Sequence, residues 1–105
     1  MTDGILTAAG IQARRGRFVK PPQGTYALWF DDVDTDGPDG LPWILHHAVT
    51  IELYESGPDD AAEKNLEAEL TAAGVQWTKQ DRVWLQTEQL YQVIYEYDYY
   101  EKRRT

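Results

Sequence analysis

The chain has 105 residues, a length typical of one domain with its own hydrophobic core. It contains no cysteine, so disulfides, thiolate zinc sites and cysteine nucleophiles are all excluded. Eighteen acidic residues outnumber ten basic ones, and the net charge of −8 argues against binding nucleic acid by neutralising its phosphates.

Apolar runs in the chain are only a few residues long, which is too short to cross a bilayer. The N-terminal stretch MTDGILTAAG lacks the basic start of a signal peptide. We therefore expect a single soluble domain, residues 1–105, that is made inside the cell and has no membrane partner.

The charges are distributed unevenly along the chain. Basic residues cluster at Arg14, Arg15, Arg17 and Lys20 and again at positions 102–104, with acidic residues between the two clusters. Patches of opposite sign on a small protein suit self-association or docking. A solvated surface that keeps the protein soluble explains the same pattern.

The first third of the chain predicts a short helix and two strands. Residues 3–9 predict one or two helical turns, with Asp3 as N-cap and Gly10 as the stop. Residues 11–19 alternate loosely and predict a strand with a bulge or bend at Gly16. Residues 25–33 predict a second strand, which is central or at an interface because both of its faces carry large apolar groups. One face holds Tyr26, Leu28 and Phe30, and the other holds Ala27, Trp29 and Val33.

An acidic loop is predicted over residues 34–42, which are rich in Gly, Pro and Asp. Asp32, Asp34 and Asp36, followed by a glycine, match the first half of an EF-hand loop, whose carboxylates converge on calcium. The second half does not match, because Trp43 stands where a bidentate glutamate is required. A hydrated loop whose aspartates cap turns is favoured, and we assign no metal ligand.

The clearest strand signal covers residues 45–54, where apolar residues alternate with polar or small ones. The predicted buried face holds Leu45, Val49, Ile51 and Leu53.

A helix is predicted over residues 59–73. Asp60 and Glu63 have the spacing of a capping box, and Gly74 stands where a helix commonly ends. Its narrow apolar stripe consists of Ala62, Leu66, Leu70 and Ala73.

The last third of the chain predicts three strands. Two short strands, residues 75–79 and 83–85, flank a turn at Gln80–Asp81, and a long strand covers residues 90–100. In the long strand Leu90 and Ile94 are predicted to be core residues. The opposite face carries a row of tyrosines that suits either a protein interface or the underside of the helix. That row consists of Tyr91, Tyr95, Tyr97 and Tyr99 around Val93.

Together these elements predict an α+β fold. A mostly antiparallel sheet carries the main helix, residues 59–73, on one face, and a short helix precedes it in the chain.

No catalytic constellation is found in the sequence. His46 and His47 are adjacent on a strand and point to opposite faces, so they cannot jointly bind one metal ion. His47 shares the apolar face, which favours a packed, hydrogen-bonded histidine over a general base. Motifs for phosphate loops, dinucleotides, zinc proteases and serine nucleophiles are missing. We expect a protein that is not an enzyme and has no catalytic, cofactor-binding or metal-binding residues.

Several short blocks, in this order, resemble a known family. They are IELY at residues 51–54, GVQWTK at residues 74–79 and LYQVIYEY at residues 90–97, with a helix between the first two. In these blocks the chain is similar to the tail terminator or tail completion proteins of long-tailed bacteriophages and prophages, also called minor capsid or tail component proteins. The resemblance covers about residues 24–100.

The resemblance implies a virion structural protein of the head–tail interface, made in the host bacterial cytoplasm. Such subunits assemble as a ring, usually a hexamer, at the head-proximal end of the tail tube. The ring stops polymerisation of the major tail tube protein and offers a docking surface for the head–tail connector. No catalysis, cofactor or sequence-specific binding of nucleic acid is implied.

Two alternatives stay open at this point. A head-side connector or stopper subunit belongs to the same class of virion protein. A small calcium-binding interaction module would use Asp32, Asp34 and Asp36.

The IELY block and residues 90–96 are expected to be neighbours in one sheet. Leu66 and Leu70 of the helix are expected to pack on both of these strands.

Overall fold

The computed structural model describes residues 1–35 and 44–102, and these form an α+β fold with two helices and a six-stranded sheet. The predicted fold class and the mostly antiparallel sheet are therefore confirmed. In chain order the elements are α1 (Thr2–Ala8), β1 (Gln12–Arg15), β2 (Tyr26–Thr35), β3 (Ile44–Glu55), α2 (Asp60–Ala72), β4 (Trp77–Lys79), β5 (Val83–Leu85) and β6 (Leu90–Lys102).

The sheet is built on three long strands in the order β2, β3, β6. β1 extends the sheet beside β2 and is its one parallel neighbour, while every other described pair is antiparallel. β3 and β6 pair along their whole length, from Ile44 opposite Lys102 to Glu55 opposite Tyr91. The predicted pairing of residues 51–54 with residues 90–96 is confirmed.

Odd-numbered side chains of the long strands form the hydrophobic core. Val49, Ile51 and Leu53 of β3 are buried and join Leu66 and Leu70 of α2 in one cluster. Full burial of one such side chain is worth roughly 1.5–3 kcal/mol relative to exposure. The alternation in residues 45–54 thus identified most of the buried face correctly, although Leu45 is only half-buried.

The tyrosine face of β6 turns towards the helices, which is one of the two alternatives that the sequence left open. Tyr95 and Tyr97 are buried, and their hydroxyl groups find partners there. Tyr95 donates to the Glu67 carboxylate at 2.8 Å, and the hydroxyl oxygens of Tyr97 and Thr2 lie 2.6 Å apart.

The prediction that Leu90 and Ile94 are core residues is wrong. Both are even-numbered residues of β6, so they lie on the face opposite the core, and both are only half-buried.

The ends of the helices differ from the sequence prediction at their first residues. Asp59, and not Asp60, is the N-cap of α2, because its carboxylate accepts the Ala62 N–H at 3.1 Å. The predicted stop is confirmed, since Gly74 has a φ of +77° and donates its N–H to the Thr71 carbonyl.

The prediction that Asp3 is the N-cap of α1 is wrong. α1 begins at Thr2, one residue before the predicted start at Asp3. The Asp3 carboxylate instead accepts the indole N–H of Trp29 at 3.0 Å. A contact with the neighbouring sheet has replaced the local cap.

Two strand boundaries also differ. β1 ends at Arg15 and does not resume after Gly16, whose φ of +84° turns the chain. Phe18, predicted to lie in that strand, instead packs edge-on against the Tyr26 ring at 5.5 Å. The predicted loop 34–42 starts too early, because β2 continues to Thr35, and the rest of that loop lies outside the described residues.

β4 and β5 were correctly expected on either side of residues 80–81, but they do not form a hairpin. Both pair with β6, one after the other along the same edge. The Gln80 N–H bonds the Ile94 carbonyl at 2.9 Å, so the pairing continues where the chain leaves β4.

Candidate functional site

His47 is the most completely bonded histidine in the described structure. Its Nδ1 lies 2.8 Å from an Asp31 oxygen and its Nε2 lies 3.0 Å from a Glu101 oxygen. The imidazole also stacks on Tyr99, with ring centroids 4.3 Å apart. The prediction of a packed, hydrogen-bonded histidine is confirmed.

The electrostatics of His47 favour a cation. Burial lowers its pKa, but hydrogen bonds to Asp31 and Glu101 more than offset this effect, and the pKa is raised above 6.5. When protonated, both ring nitrogens donate to carboxylates, and neither is left to accept a proton from a substrate. This arrangement ties β2, β3 and the end of β6 together and lacks the features of a general base.

His46 lies on the other face of the sheet, as the sequence predicted. Its Nε2 is 3.1 Å from an oxygen of Asp98, and its ring stacks on Tyr100 at a centroid distance of 4.9 Å. The two histidines therefore lie on opposite faces of the sheet and contact different carboxylates.

The candidate calcium ligands Asp32 and Asp34 lie in the extended strand β2. They face Ala48 and His46 of β3 in a regular antiparallel register, and they are not part of a turn. The EF-hand geometry requires a tight loop at these positions, so this half of the match is not realised. Asp36 lies outside the described residues.

A buried ionic cluster, which the sequence analysis did not find, lies between α2 and the edge of the sheet. Glu55 is the last residue of β3 and is fully buried. Its Oε1 accepts the Arg82 Nε–H at 3.2 Å. Arg82 also donates to Glu63 at 2.6 Å. Lys79 contacts Glu63 at 2.9 Å and Glu67 at 2.7 Å.

Two carboxyl groups in this cluster titrate far from their ordinary range. Burial, together with the nearby Glu63, raises the pKa of Glu55 to about 7. Burial alone would raise the pKa of Glu63 as well, but hydrogen bonds from Glu55, Lys79 and Arg82 lower it to about 2. The Oε2 atom of Glu55 is buried and has no hydrogen-bond partner among the described residues, so it is the oxygen that carries the proton when Glu55 is neutral.

The ionic cluster is structural in character. Its basic groups are each bound to two or more carboxylates, and a shallow pocket of about 360 Å³ beside it is lined by Lys79, Arg82, Glu63 and the neighbouring polar residues. Asp81, which is exposed, also lines this pocket. Through Arg82 the cluster links the segment between β4 and β5, residues 80–82, to α2.

The sequence did carry a signal for this cluster. Glu55 continues the buried odd-numbered series of β3, and Glu63 precedes Leu66 on the buried stripe of α2. A carboxylate at the inner end of a strand and another on the apolar stripe of the following helix predict a buried pair that needs a basic partner. The identity of that partner, Arg82, depends on tertiary structure.

The even-numbered face of the sheet is the largest candidate interaction surface. Side chains of both helices join the core on the odd-numbered face, and no described helix covers the other one. Tyr26 and Tyr54 stack there at 5.2 Å, and Phe30, which is 39% exposed, and Val83 extend the apolar area. An open face with exposed aromatic groups is a common feature of protein interfaces.

The two edges of the sheet differ in charge. On the β1 side, Arg14, Arg15 and Arg17 are exposed, and they form no ion pair with any described residue. On the β6 side, Glu96 and Asp98 are exposed beside the end of β4. These carboxylates of β6 lie beside β4, and the exposed Lys102 lies at the far end of the strand.

Residues 1–35 and 44–102 contain no group of three or more His, Asp or Glu side chains arranged to hold a metal ion. None of their helices is long and apolar enough to cross a membrane.

A scan against protein-family models and a search of curated proteins each found no match.

Proposed function

We propose that this protein is a phage virion structural protein, a tail terminator or tail completion subunit. It assembles as a ring, usually a hexamer in this class, at the head-proximal end of the tail tube. The ring stops polymerisation of the tube and provides the surface to which the head docks. The proposal starts from the resemblance of residues 51–54, 74–79 and 90–97 to that family, whose first and last blocks pair as neighbouring strands here.

One structural observation supports the proposal most strongly. The sheet has an open face with exposed aromatic groups, β1 carries exposed arginines, and β6 carries the exposed carboxylates of Glu96 and Asp98. A ring built from head-to-tail contacts requires two different, complementary patches on each subunit. Arg14 and Arg17 beside β1 and the carboxylates of Glu96 and Asp98 on β6 are such a pair.

The chemistry of the charged clusters favours a role in assembly over catalysis. His47 and the ionic cluster around Glu55 have their polar groups bound to one another, which leaves rigid scaffolding and no reaction centre. We propose that the protein is not an enzyme and uses no cofactor. Its partners are further copies of itself, the major tail tube protein and the head–tail connector.

The negative net charge also suits a ring around a DNA channel. A wall with a charge of −8 per subunit repels phosphate, so DNA passes without being held. Under this proposal the protein is made in the host bacterial cytoplasm and resides in the virion.

A head-side connector or stopper subunit is the second candidate, because the same open face and charged edges suit any ring at the head–tail joint. The candidates differ in the partner that co-purifies, which is the tube protein for a terminator and the head connector for a stopper. The calcium-binding alternative loses support because Asp32 and Asp34 lie in a regular strand.

Size-exclusion chromatography with light scattering, alone and with the cognate tube protein, tests the proposal. We expect a mass several times the 12.1 kDa of one chain and co-elution with tube protein. A strict monomer that binds neither tube nor connector would contradict it.

A further inference from the structure

We propose that the free edge of β6 at Tyr100–Lys102 pairs with the outer edge of β1 from a second copy, in parallel and head to tail. The inference rests on the proposed function, because it names the contact that joins subunits in the ring. Three features carry it: open backbone groups, opposite charges and the directions of the two strands.

The outer edge of β6 is open beyond β4. The Ile94 carbonyl accepts the Gln80 N–H, so the backbone groups of even-numbered residues in β6 point to this edge. β4 starts at Trp77, opposite Tyr97, and the same register places Gln76 beside Asp98, so in the described structure it is the outward groups of Tyr100 and Lys102 that have no strand beside them. Tyr100 lines a groove of about 1050 Å³ between residues 74–78 and residues 96–100.

The outer edge of β1 is open as well. β1 pairs with β2 on one side only, and the Gly16 N–H bonds the Trp29 carbonyl. By the same alternation, Ala13 and Arg15 direct their backbone groups away from β2, and of these the Arg15 carbonyl accepts the Arg17 N–H at 3.1 Å. A strand edge left in this state is a template for pairing with another chain.

The charges at the two edges are complementary. Arg14 and Arg17 are exposed beside β1, while Glu96 and Asp98 are exposed on β6, where the Asp98 side chain is 63% accessible and contacts His46 and the exposed Lys102 ends the strand. Pairing these edges brings cations next to carboxylates. Pairing β1 with β1 of a second copy, or β6 with β6, would place like charges next to each other, which costs free energy.

The strand directions agree with head-to-tail pairing. β1 is parallel to β2, β2 is antiparallel to β3, and β3 is antiparallel to β6, so β1 and β6 run in the same direction. When one copy is placed beside the next in the same orientation, β1 and β6 therefore meet in parallel. A contact between two different patches leads to a ring or an open filament, whereas a like-with-like contact leads to a dimer. The charges thus select the arrangement that can close into a ring.

A charge-swap series tests the contact by light scattering at low ionic strength. Arg14→Glu alone and Asp98→Lys alone should each reduce the mass from that of the ring towards 12.1 kDa, because each places like charges at the contact. The double variant R14E/D98K should recover the ring, since the pair is again complementary. Lys64→Glu, an equal change of charge on the exposed side of α2, is the matched control and should leave the mass unchanged.

Tyr100→Pro tests the backbone part of the contact. It removes an N–H that points to the open edge, so circular dichroism should show a folded chain while assembly is lost.

The outcomes separate this inference from the proposed function. A wild-type ring that persists in both single variants and in Tyr100→Pro would overturn the β1–β6 contact and leave the terminator role intact. Failure of R14E/D98K to recover the ring, with both single variants folded, would also overturn it. A wild-type chain that stays monomeric and never binds tube protein would overturn both proposals.

Discussion

At the scale of single residues, Glu55 shows how the fold changes the chemistry of a side chain. Its carboxyl group is 0% exposed, with Arg82 on one oxygen and the charge of Glu63 nearby. Because a buried carboxylate is costly, the protonated form is favoured and the pKa rises to about 7. Glu63, held by Lys79 and Arg82, keeps its charge and has a pKa of about 2.

These shifts predict how stability depends on pH. The folded-state pKa of Glu55 lies above its unfolded value of 4.5, so its contribution is complete below pH 4.5 and is lost as pH rises through about 7. The contribution of Glu63 has the opposite sign, because it is complete above pH 4.5 and is lost as pH falls towards about 2. This pair is therefore most stabilising near pH 4.5.

Glu55→Gln should remove the part of this dependence that lies between about pH 5 and about pH 8. The amide stays neutral, so the melting temperature of the variant should fall less over that range than the wild-type value. Thermal melts followed by circular dichroism measure the difference. Asp81→Asn, in the exposed turn nearby, is the control and should follow the wild type. Equal slopes for wild type and Glu55→Gln would contradict the raised pKa of Glu55.

At the scale of secondary structure, the cap of α2 joins two parts of the chain. Asp59 accepts the Ala62 N–H with one carboxylate oxygen and the Thr25 hydroxyl with the other, at 2.6 Å. One side chain thus satisfies the start of the helix and fixes the chain that enters β2.

Asp59→Ala should lower the free energy of unfolding by about 0.5–2 kcal/mol, the usual cost of losing an N-cap. Urea denaturation measures this change. Lys64→Ala, on the exposed side of the same helix, should stay within about 0.5 kcal/mol of the wild type. If both variants unfold alike, Asp59 does not act as the cap.

The elements with sustained periodicity could be predicted from sequence. β3 and α2 each repeat their apolar pattern over ten residues or more, and the structure places both within two residues of the predicted bounds. β6 was found with the correct alternation, but the buried side was assigned wrongly for Leu90 and Ile94. Local pattern cannot show that the Tyr95 and Tyr97 hydroxyls have partners at Glu67 and Thr2.

The candidate sites divide in the same way. The packed role of His47 followed from its place on the apolar face of a strand, although its partners Asp31 and Glu101 could not be named. The ionic cluster was missed because Glu55 and Arg82 are 27 positions apart in sequence and meet only when residues 80–82 pass close to α2. Short elements such as β1 were misjudged because four residues carry little periodic signal.

At the scale of the whole molecule, the long strands and the uneven covering of the sheet determine the shape. The molecule measures 48 × 27 × 22 Å, since β2, β3 and β6 are each ten or more residues long while α2 spans thirteen residues at a much shorter rise. One face of the sheet packs against the helices to form the core, and no described helix covers the other face. This uneven covering agrees with a subunit that acts by assembly.

Growth of tail tubes in the presence of this protein is the most direct test of the proposed function. Cognate tube protein should be polymerised with and without it, and tube lengths should be measured by electron microscopy. We predict shorter tubes that each carry one ring at one end, with a length that falls as the ratio of this protein to tube protein rises. Tubes of unchanged length with bare ends, at every ratio, would contradict the terminator function.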